Sequence, residues 1–443
     1  MKKSMIQWNA RCRSERGQML PLIALAGAAL IALIGLSIDL GFAYVTKARL
    51  SKACDAGALA GMNNINLNLV NAGNVASATF AANYAIGKSS LTDTPTVSYY
   101  FGTDSGGNPT FSMAAVTHMN TFFVRVLGAI PGMPNWTTLT IGETAQVVRA
   151  TLYLTMVQDR SGSLQPNPPN PVGNGGAVYM LDAVTNFTAF FDDTRDNMGL
   201  VTFATIARID APIAHPFVTT IRTNVSKLAD NNYAGYTVGT FSQGGLTNAL
   251  VMENNISVPT GRFVKKAVVF FTDGHANIIQ QVLNCSPPTS MSATNVLVGG
   301  RDDCASDEGF DICASGTTYQ RFGERHCPNN VNSGNYCQNS TNFPSSKYGG
   351  ALKTLNYDNI CEEAEYQAVQ VANAMRQNGI IVYSIGLGSD INEDFLRQIA
   401  NDPHSTTYDP SLPVGAYVPA PDASQLQAAF QRVAEELLIQ VVR

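Results

Sequence analysis

The sequence has few charged residues: Asp, Glu, Lys and Arg make up only 14% of its 443 residues, against about 25% in a typical soluble domain. The formal net charge is -5, and the isoelectric point is about 5.6. Because no stretch builds the basic stripe that holds phosphates, a nucleic-acid partner is excluded. This composition is more typical of an exported or membrane-attached protein than of a cytosolic enzyme.

Motifs of common enzyme and zinc chemistry are also missing. There is no C-x-x-C pair, and His326 is the only histidine among residues 285–361, which argues against a zinc site. The stretch RSGSL does not supply a G-x-S-x-G nucleophile elbow, and Ser161 stands where a haloacid-dehalogenase-type phosphatase needs Asp. We expect no enzymatic activity. Metal-dependent hydrolysis is a distant alternative, because no general base is evident.

What the sequence does contain is a run of 22 residues without charge, residues 17–38. As a helix rising ~1.5 Å per residue, this run spans the ~30 Å hydrocarbon core of a membrane. Five basic residues precede it and three follow it, which favours a cytoplasmic N-terminus: Lys2, Lys3, Arg11, Arg13 and Arg16 before, and Lys47, Arg49 and Lys52 after.

Two processing signals are alternatives to an uncleaved anchor. A cleaved secretory signal would have a shorter apolar run and a small-x-small site soon after it. Prepilin-like processing after Gly17 would place Glu at the fifth position after the cut, where this chain has Leu22. We therefore expect a retained single-pass anchor, with the C-terminal part exported.

Cysteine usage agrees with export. Six of the eight cysteines fall in one polar stretch rich in Pro, Asn and Ser, which predicts disulfides formed in an oxidising compartment, with fifteen possible connectivities. These six are Cys285, Cys304, Cys313, Cys327, Cys337 and Cys361.

The chain divides into four parts and one insertion. Residues 1–16 are a basic tail, residues 17–63 one long helix that leaves the membrane, and residues 64–148 a β-rich connecting region. Residues 149–443 alternate apolar strands with helices, which predicts an α/β fold with a doubly wound, mostly parallel sheet. The insertion, about residues 278–358, shows no strand or helix periodicity and is expected to be a disulfide-held surface segment.

The α/β part has four strand candidates and six helix candidates. The strands are residues 150–156, 198–205, 267–272 and 380–385. The helices are residues 177–191, 218–230, 247–255, 361–378, 393–400 and 423–441.

Polar side chains follow two of these strands. Asp159, Ser161 and Ser163 come after the first strand, in VQDRSGSL, and Asp273 comes after another, in FFTDG. Between them the turn SQGGLTN places Thr247 at the start of a helix. Because ligands of open α/β sheets bind at the carboxyl ends of the strands, all five oxygen-bearing groups are expected at one edge. Two carboxylates and three hydroxyls suit a hard divalent cation such as Mg²⁺, with a coordination position left open.

These three stretches resemble the metal-ion-dependent adhesion site of von Willebrand factor A domains, and the resemblance covers about residues 149–438. It implies that Ser161, Ser163 and Thr247 are direct ligands, and that Asp159 and Asp273 bind directly or through water. Mn²⁺ or Ca²⁺ could replace Mg²⁺. The large insertion after Asp273 departs from the family pattern.

The N-terminal segment resembles TadE/TadG-like Flp (tight adherence) pilus-assembly proteins. The pattern D-L-G-x-x-Y, then L-x-x-A-x-D-A-x-A-L-A-G, carries this likeness over residues 16–61 and includes Asp39 and Asp55. From the residues alone, Asp39 is either a boundary charge at the membrane exit or a contact to a partner helix.

The two resemblances imply a component of Flp/Tad-type pilus assembly or anchoring, held in a bacterial inner membrane with its C-terminal domain periplasmic or exported. It would bind a protein partner that offers Asp or Glu to the metal, and its membrane helix would contact other helices of the pilus machinery. A surface-displayed adhesin and a structural envelope tether without metal-dependent binding are the alternatives.

Overall fold

The computed structural model describes most of the chain outside the tail and the insertion: residues 19–64, 69–85, 90–129, 136–164, 176–230, 239–285, 291–300, 310–313, 337–339, 357–389 and 391–440. The basic tail 1–16 lies outside these residues. The chain forms two compact units. One unit comprises Met1–Gly102 and Thr110–Val147, and the other comprises Thr103–Pro109 and Val148–Arg443.

The first unit contains the long helix that the sequence predicts. Helix α1 spans Met19–Asn63, and its portion Pro21–Asn63 is, among the described residues, the one helix long and apolar enough to cross a membrane. The unit continues with helix α2 and a three-stranded sheet in the order β1-β2-β3. Their bounds are Leu69–Ala85 for α2, Thr96–Thr103 for β1, Pro109–Asn120 for β2 and Thr138–Val148 for β3.

Helix α2 was not predicted, because the region that contains it was interpreted as β-rich. Its buried side chains are Ala72, Ala76, Phe80 and Tyr84, spaced four residues apart on one face of a helix. A Cβ on Gly57 of α1 would lie 2.9 Å from the carbonyl oxygen of Ala76. The two helices therefore approach closely through small residues, which give a weaker sequence signal than large apolar ones.

The second unit alternates strands and helices, as predicted. Its strands are β4 (Thr151–Asp159), β5 (Asn197–Phe203), β6 (Ala207–Ala214), β7 (Val264–Thr272), β8 (Ile278–Cys285), β9 (Met291–Gly300), β10 (Phe310–Cys313), β11 (Cys337–Asn339), β12 (Ile381–Leu387) and β13 (Tyr417–Ala420). Its helices are α3 (Gly176–Thr188), α4 (Val218–Leu228), α5 (Ser242–Asn254), α6 (Tyr357–Gln377), α7 (Glu393–Ala400) and α8 (Leu426–Gln440).

Six of these strands form one sheet in the order β13-β12-β7-β4-β5-β6. All neighbours are parallel except β5 and β6, which are antiparallel. Every residue of β5 and β12 is buried, because helices cover both faces of the sheet. Helices α3, α4 and α8 contribute to the core on one face, and α5, α6 and α7 to the core on the other. The predicted α/β class is confirmed.

Two strands of this sheet were not predicted. Strand β6 is the antiparallel edge strand, and its side chains are mostly half-buried or exposed, so it lacks the continuous apolar run of the central strands. Strand β13 at the other edge is only four residues long. A strand of four residues is too short to show a distinct apolar pattern, although three of its residues are buried.

The prediction of an insertion without regular structure was wrong for its described residues. Strands β8 to β11 form a separate four-stranded sheet in the order β10-β9-β8-β11. The antiparallel register sets Cys337 directly opposite Cys285, at a backbone separation compatible with a disulfide. The disulfide pairing stays a prediction, and Cys304 and Cys327 lie outside the described residues.

Candidate metal centre

The candidate site lies where the order of the central sheet reverses. From β4 the chain builds outward through β5 and β6 on one side, and through β7, β12 and β13 on the other. Strands β4 and β7 are parallel neighbours. Asp159 is the last residue of β4, and Asp273 directly follows the last residue of β7. This switch point is where an open α/β sheet offers a crevice for ligands.

Four of the five predicted ligands are joined by hydrogen bonds there. The Asp159 Oδ1 atom accepts from the backbone N–H of Ser161 at 2.7 Å. The Ser161 hydroxyl donates to Asp273 Oδ1 at 3.2 Å and lies 3.0 Å from the Ser163 hydroxyl oxygen. Either hydroxyl can be the donor of that second pair, since each carries one proton and accepts through its oxygen.

Asp159 is fully buried beside a second carboxyl group. Burial, and secondarily the negative charge of Asp273, raises the pKa of Asp159 to about 7. Ionising this carboxyl group without a cation is costly, because its charge is removed from water and faces another negative charge. A divalent ion between the two carboxyl groups would remove that cost, so the donor set and its electrostatics fit a hard cation.

Thr272 supports the site and was not identified from the sequence. Its hydroxyl donates to Asp159 Oδ2 at 2.6 Å, and this hydrogen bond lowers the pKa of Asp159 against the effect of burial. The residue stands in the quoted stretch FFTDG, directly before Asp273. Its place directly before Asp273 could have marked it as a residue near the site. Only the parallel pairing of β4 and β7 shows that its hydroxyl contacts Asp159.

We expect Thr272→Val to weaken Mg²⁺ binding by about 10-fold, a typical cost of losing a residue that orients a metal ligand. Valine keeps the shape of threonine and removes the donor to Asp159 Oδ2. Thr272→Ser retains a hydroxyl and is the matched control, with expected binding near that of the wild type. Calorimetric titration of Mg²⁺ into both variants measures the difference. Equal affinity for Thr272→Val and the wild type would contradict this role.

Arg160 holds the loop after β4 against the neighbouring strands. Its guanidinium donates to the Thr202 hydroxyl at 3.2 Å and to the Ile206 carbonyl at 2.9 Å. Its backbone N–H donates to the Phe203 carbonyl at 2.8 Å. The side chain of Arg160 is therefore directed into the β5–β6 region, while the flanking Asp159 and Ser161 side chains belong to the site.

The fifth predicted ligand, Thr247, lies elsewhere in its helix than the sequence suggested. Helix α5 begins at Ser242, so Thr247 is in its second turn rather than at its start. Its hydroxyl donates to the carbonyl of Gln243 at 2.8 Å. Among the hydrogen bonds described, none joins Thr247 to the other four residues, and its role as a ligand stays a prediction.

Gly245 sets the approach of α5 to the strands that carry the site. A Cβ at this position would lie 2.8 Å from Phe203 Cδ1 and 3.0 Å from Val157 Cγ1. Phe203 is the register partner of Asp159. At the other end of α5 the buried Glu253 accepts from the Thr155 hydroxyl at 2.8 Å. The helix is therefore held against β4 at both ends.

We expect Gly245→Ala to destabilise the protein by about 1–3 kcal/mol, as overpacking of a tight core contact does, and to weaken Mg²⁺ binding because α5 must shift. Val251→Ala, at an exposed position of the same helix, is the control and should leave both quantities near their wild-type values. Thermal unfolding and Mg²⁺ titration of both variants provide the test. A Gly245→Ala protein as stable as the control would mean that the helix has room to move.

The second unit is an α/β domain whose strand–helix alternation and oxygen-donor cluster resemble the von Willebrand A pattern expected from the sequence. Residues 17–64, outside this domain, match a model of the TadE/G-like Flp pilus-assembly family. This match confirms the resemblance predicted for the N-terminal segment. A comparison with curated proteins finds no match.

Several solved structures resemble the chain at low sequence identity. The von Willebrand domain of the pilus tip protein Mfa5 from Porphyromonas gingivalis is 14% identical, with a TM-score of 0.39 over 67% of this chain and 98% of that one. The pilus adhesin SpaC from Lactobacillus rhamnosus GG is 14% identical, with a TM-score of 0.39 over 79% and 35%. Proximal thread matrix protein 1 from the mussel byssus, with a zinc-occupied MIDAS motif, is 15% identical, with a TM-score of 0.35 over 66% and 46%. The chain thus spans less than half the length of the last two.

Proposed function

We propose that this protein is a membrane-anchored component of a Flp/Tad-type pilus system that binds a protein partner through a divalent metal ion. The observation that carries the proposal is the cluster of Asp159, Ser161, Ser163 and Asp273. Two carboxyl groups and two hydroxyls converge at a sheet edge suited to ligands, and one carboxyl group is fully buried. Carboxylate and hydroxyl oxygens of this kind are ligands that a hard divalent cation takes.

Mg²⁺ is the proposed ion, and Mn²⁺ or Ca²⁺ would suit the same oxygen donors. Asp159, Ser161, Ser163 and Asp273 would hold it, with Thr247 as a fifth proposed ligand. When bound, the ion would offer a coordination position to an Asp or Glu carboxylate of the partner. Ser163 is exposed and Asp273 is half-buried, so the outer side of the cluster is open to such a group.

The N-terminal helix supports the anchoring part of the proposal. Its apolar residues are mostly exposed, and the family match covers the same segment. We propose a single-pass protein of the bacterial inner membrane with a cytoplasmic N-terminus and a periplasmic or exported second unit. Helices of the pilus machinery are proposed partners of α1.

Two other functions are retained as alternatives. A surface-displayed adhesin would use the same metal site on external ligands, and a structural tether would keep the fold without metal-dependent binding. We propose a binding protein rather than an enzyme, because Ser161 and Ser163 do not lie in a G-x-S-x-G elbow and Asp159 is followed two residues later by Ser161 rather than by a second Asp.

The proposal is tested by using the full-length protein in detergent to capture its binding partners. Wild-type protein and Asp273→Ala are immobilised and exposed to an envelope extract of the source bacterium, with Mg²⁺ or with a chelator. A partner retained only by the wild type and only with Mg²⁺ supports the proposal. Calorimetry that shows Mg²⁺ binding without metal-dependent capture favours the tether, and the absence of Mg²⁺ binding refutes the metal site. Protease accessibility of the second unit in intact cells distinguishes an adhesin from a periplasmic component.

A further inference from the structure

Asp39 holds a second element of the first unit against the end of the apolar run. Its carboxylate accepts three backbone N–H groups, from Phe122 at 3.0 Å, Phe123 at 2.9 Å and Val124 at 2.8 Å. Val124 begins a short 3-10 helix, Val124–Ala129. The carboxylate is buried, and it satisfies N–H groups that the start of a helix leaves without partners.

The same segment packs against α1 within its apolar run. A Cβ on Gly35 would lie 2.6 Å from Phe123 Cβ, so glycine leaves the space that the phenylalanine occupies. Gly35 and Asp39 are buried, whereas the residues between them are exposed. Gly35 lies four residues before Asp39, about 6 Å further along the helix toward the membrane. The segment therefore reaches the depth at which α1 is expected to leave the hydrocarbon core.

The outer surface of this segment is apolar and aromatic. Phe122 and Phe123 are each 42% exposed, and Val126 is 63% exposed. Phe42 of α1, 44% exposed, adds a ring whose centroid lies 6.3 Å from that of Phe122. The exposed Arg125 stands within the same stretch. Segments that lie at the boundary between lipid headgroups and acyl chains are typically rich in aromatic residues and contain basic residues.

We propose that residues 122–126 form a second membrane contact, inserted into the interface of the bilayer that α1 crosses. This inference rests on the proposed membrane anchor. The aromatic rings enter the acyl boundary, and Arg125 extends to headgroup phosphates, as long cationic side chains do. We infer that lipid, rather than another protein, covers this surface, because the segment extends the exposed apolar surface of α1. The Asp39 carboxylate allows this position, since it satisfies backbone N–H groups that lipid could not.

The test uses single-tryptophan reporters in the full chain, reconstituted in phosphatidylcholine–phosphatidylglycerol liposomes. Both native tryptophans, Trp8 and Trp136, are replaced by phenylalanine. Phe123→Trp reports on the segment, and Phe122→Trp replaces it if the larger ring prevents folding. Leu30→Trp, at an exposed position of the apolar run, reports on the anchor. Tyr100→Trp, at a 70% exposed position of the same unit, is the aqueous control.

We expect lipids brominated near the headgroup to quench Phe123→Trp and to leave Tyr100→Trp unquenched. Lipids brominated near the chain end should quench Leu30→Trp more than Phe123→Trp. Quenching of Leu30→Trp alone, with Phe123→Trp behaving like Tyr100→Trp, would overturn the second contact and leave the anchor intact; the segment would then be covered by protein or water. If Leu30→Trp is not quenched either, the anchor and the contact that rests on it both fail.

Discussion

Asp159→Asn is expected to abolish Mg²⁺ binding and, at the same time, to stabilise the metal-free protein at neutral pH. Losing a buried anionic ligand should weaken Mg²⁺ binding by more than about 100-fold, beyond the usual cost of losing a supporting residue. The neutral amide removes the cost of a buried charge next to Asp273. It keeps an acceptor for the backbone N–H of Ser161 and can pair with the Thr272 hydroxyl.

The stability gain is expected to raise the midpoint of thermal unfolding by about 5 °C, since about 1 kcal/mol shifts a large domain by 2–4 °C. Calorimetric titration of Mg²⁺ into the protein measures the binding, and thermal unfolding of the metal-free protein measures the stability. Asp182→Asn removes an exposed carboxylate of α3 and is the control, with both quantities unchanged. A metal-free Asp159→Asn protein less stable than the wild type would show that the carboxylate contributes to folding beyond its metal.

The pH dependence of stability follows from the same group. Burial raises the pKa of Asp159 from 3.8 to about 7, so between these values the folded protein holds a proton that the unfolded chain has lost. The contribution of Asp159 to the stability of the metal-free protein therefore falls as pH rises through this window. Mg²⁺ should counteract the fall, because it binds the ionised form. In Asp159→Asn both this contribution and the effect of Mg²⁺ should disappear.

Asp39→Ala is expected to have the largest effect in the first unit. It leaves three backbone N–H groups without an acceptor, and about 1 kcal/mol for each gives a loss of about 3 kcal/mol. The segment that begins at Phe122 should detach from α1 and become susceptible to protease. Thermal unfolding and limited proteolysis of the full chain in detergent measure both effects.

Asp55→Ala is the matched control for Asp39→Ala, because it removes an exposed aspartate of the same helix and of the same Tad-like pattern. Its stability and proteolysis should match those of the wild type. Mg²⁺ binding should persist in both variants, since all four hydrogen-bonded site residues belong to the second unit. Similar protease resistance in both variants would mean that Asp39 does not hold the segment.

Periodicity in the sequence was sufficient to predict the central elements. The buried strands β4, β5, β7 and β12 are continuous apolar runs, because a parallel sheet covered on both faces needs apolar side chains at successive positions. The cluster at the end of β4 was also predictable, because Asp159, Ser161 and Ser163 lie within five consecutive residues. Asp273 could be added because carboxyl ends of parallel strands share one edge.

Tertiary structure alone decided the contacts between distant segments. Thr272 reaches Asp159 across 113 residues, and the N–H partners of Asp39 lie 83 to 85 residues away. Neither pairing leaves a periodic signal, since each depends on which strand or helix packs beside which. The close approach of α5 to β4 likewise depends on Gly245. The sequence does not show that Val157 and Phe203 pack against this glycine and leave no space for a side chain. Local sequence thus determined which oxygen atoms were available for a metal, and packing determined which of them meet.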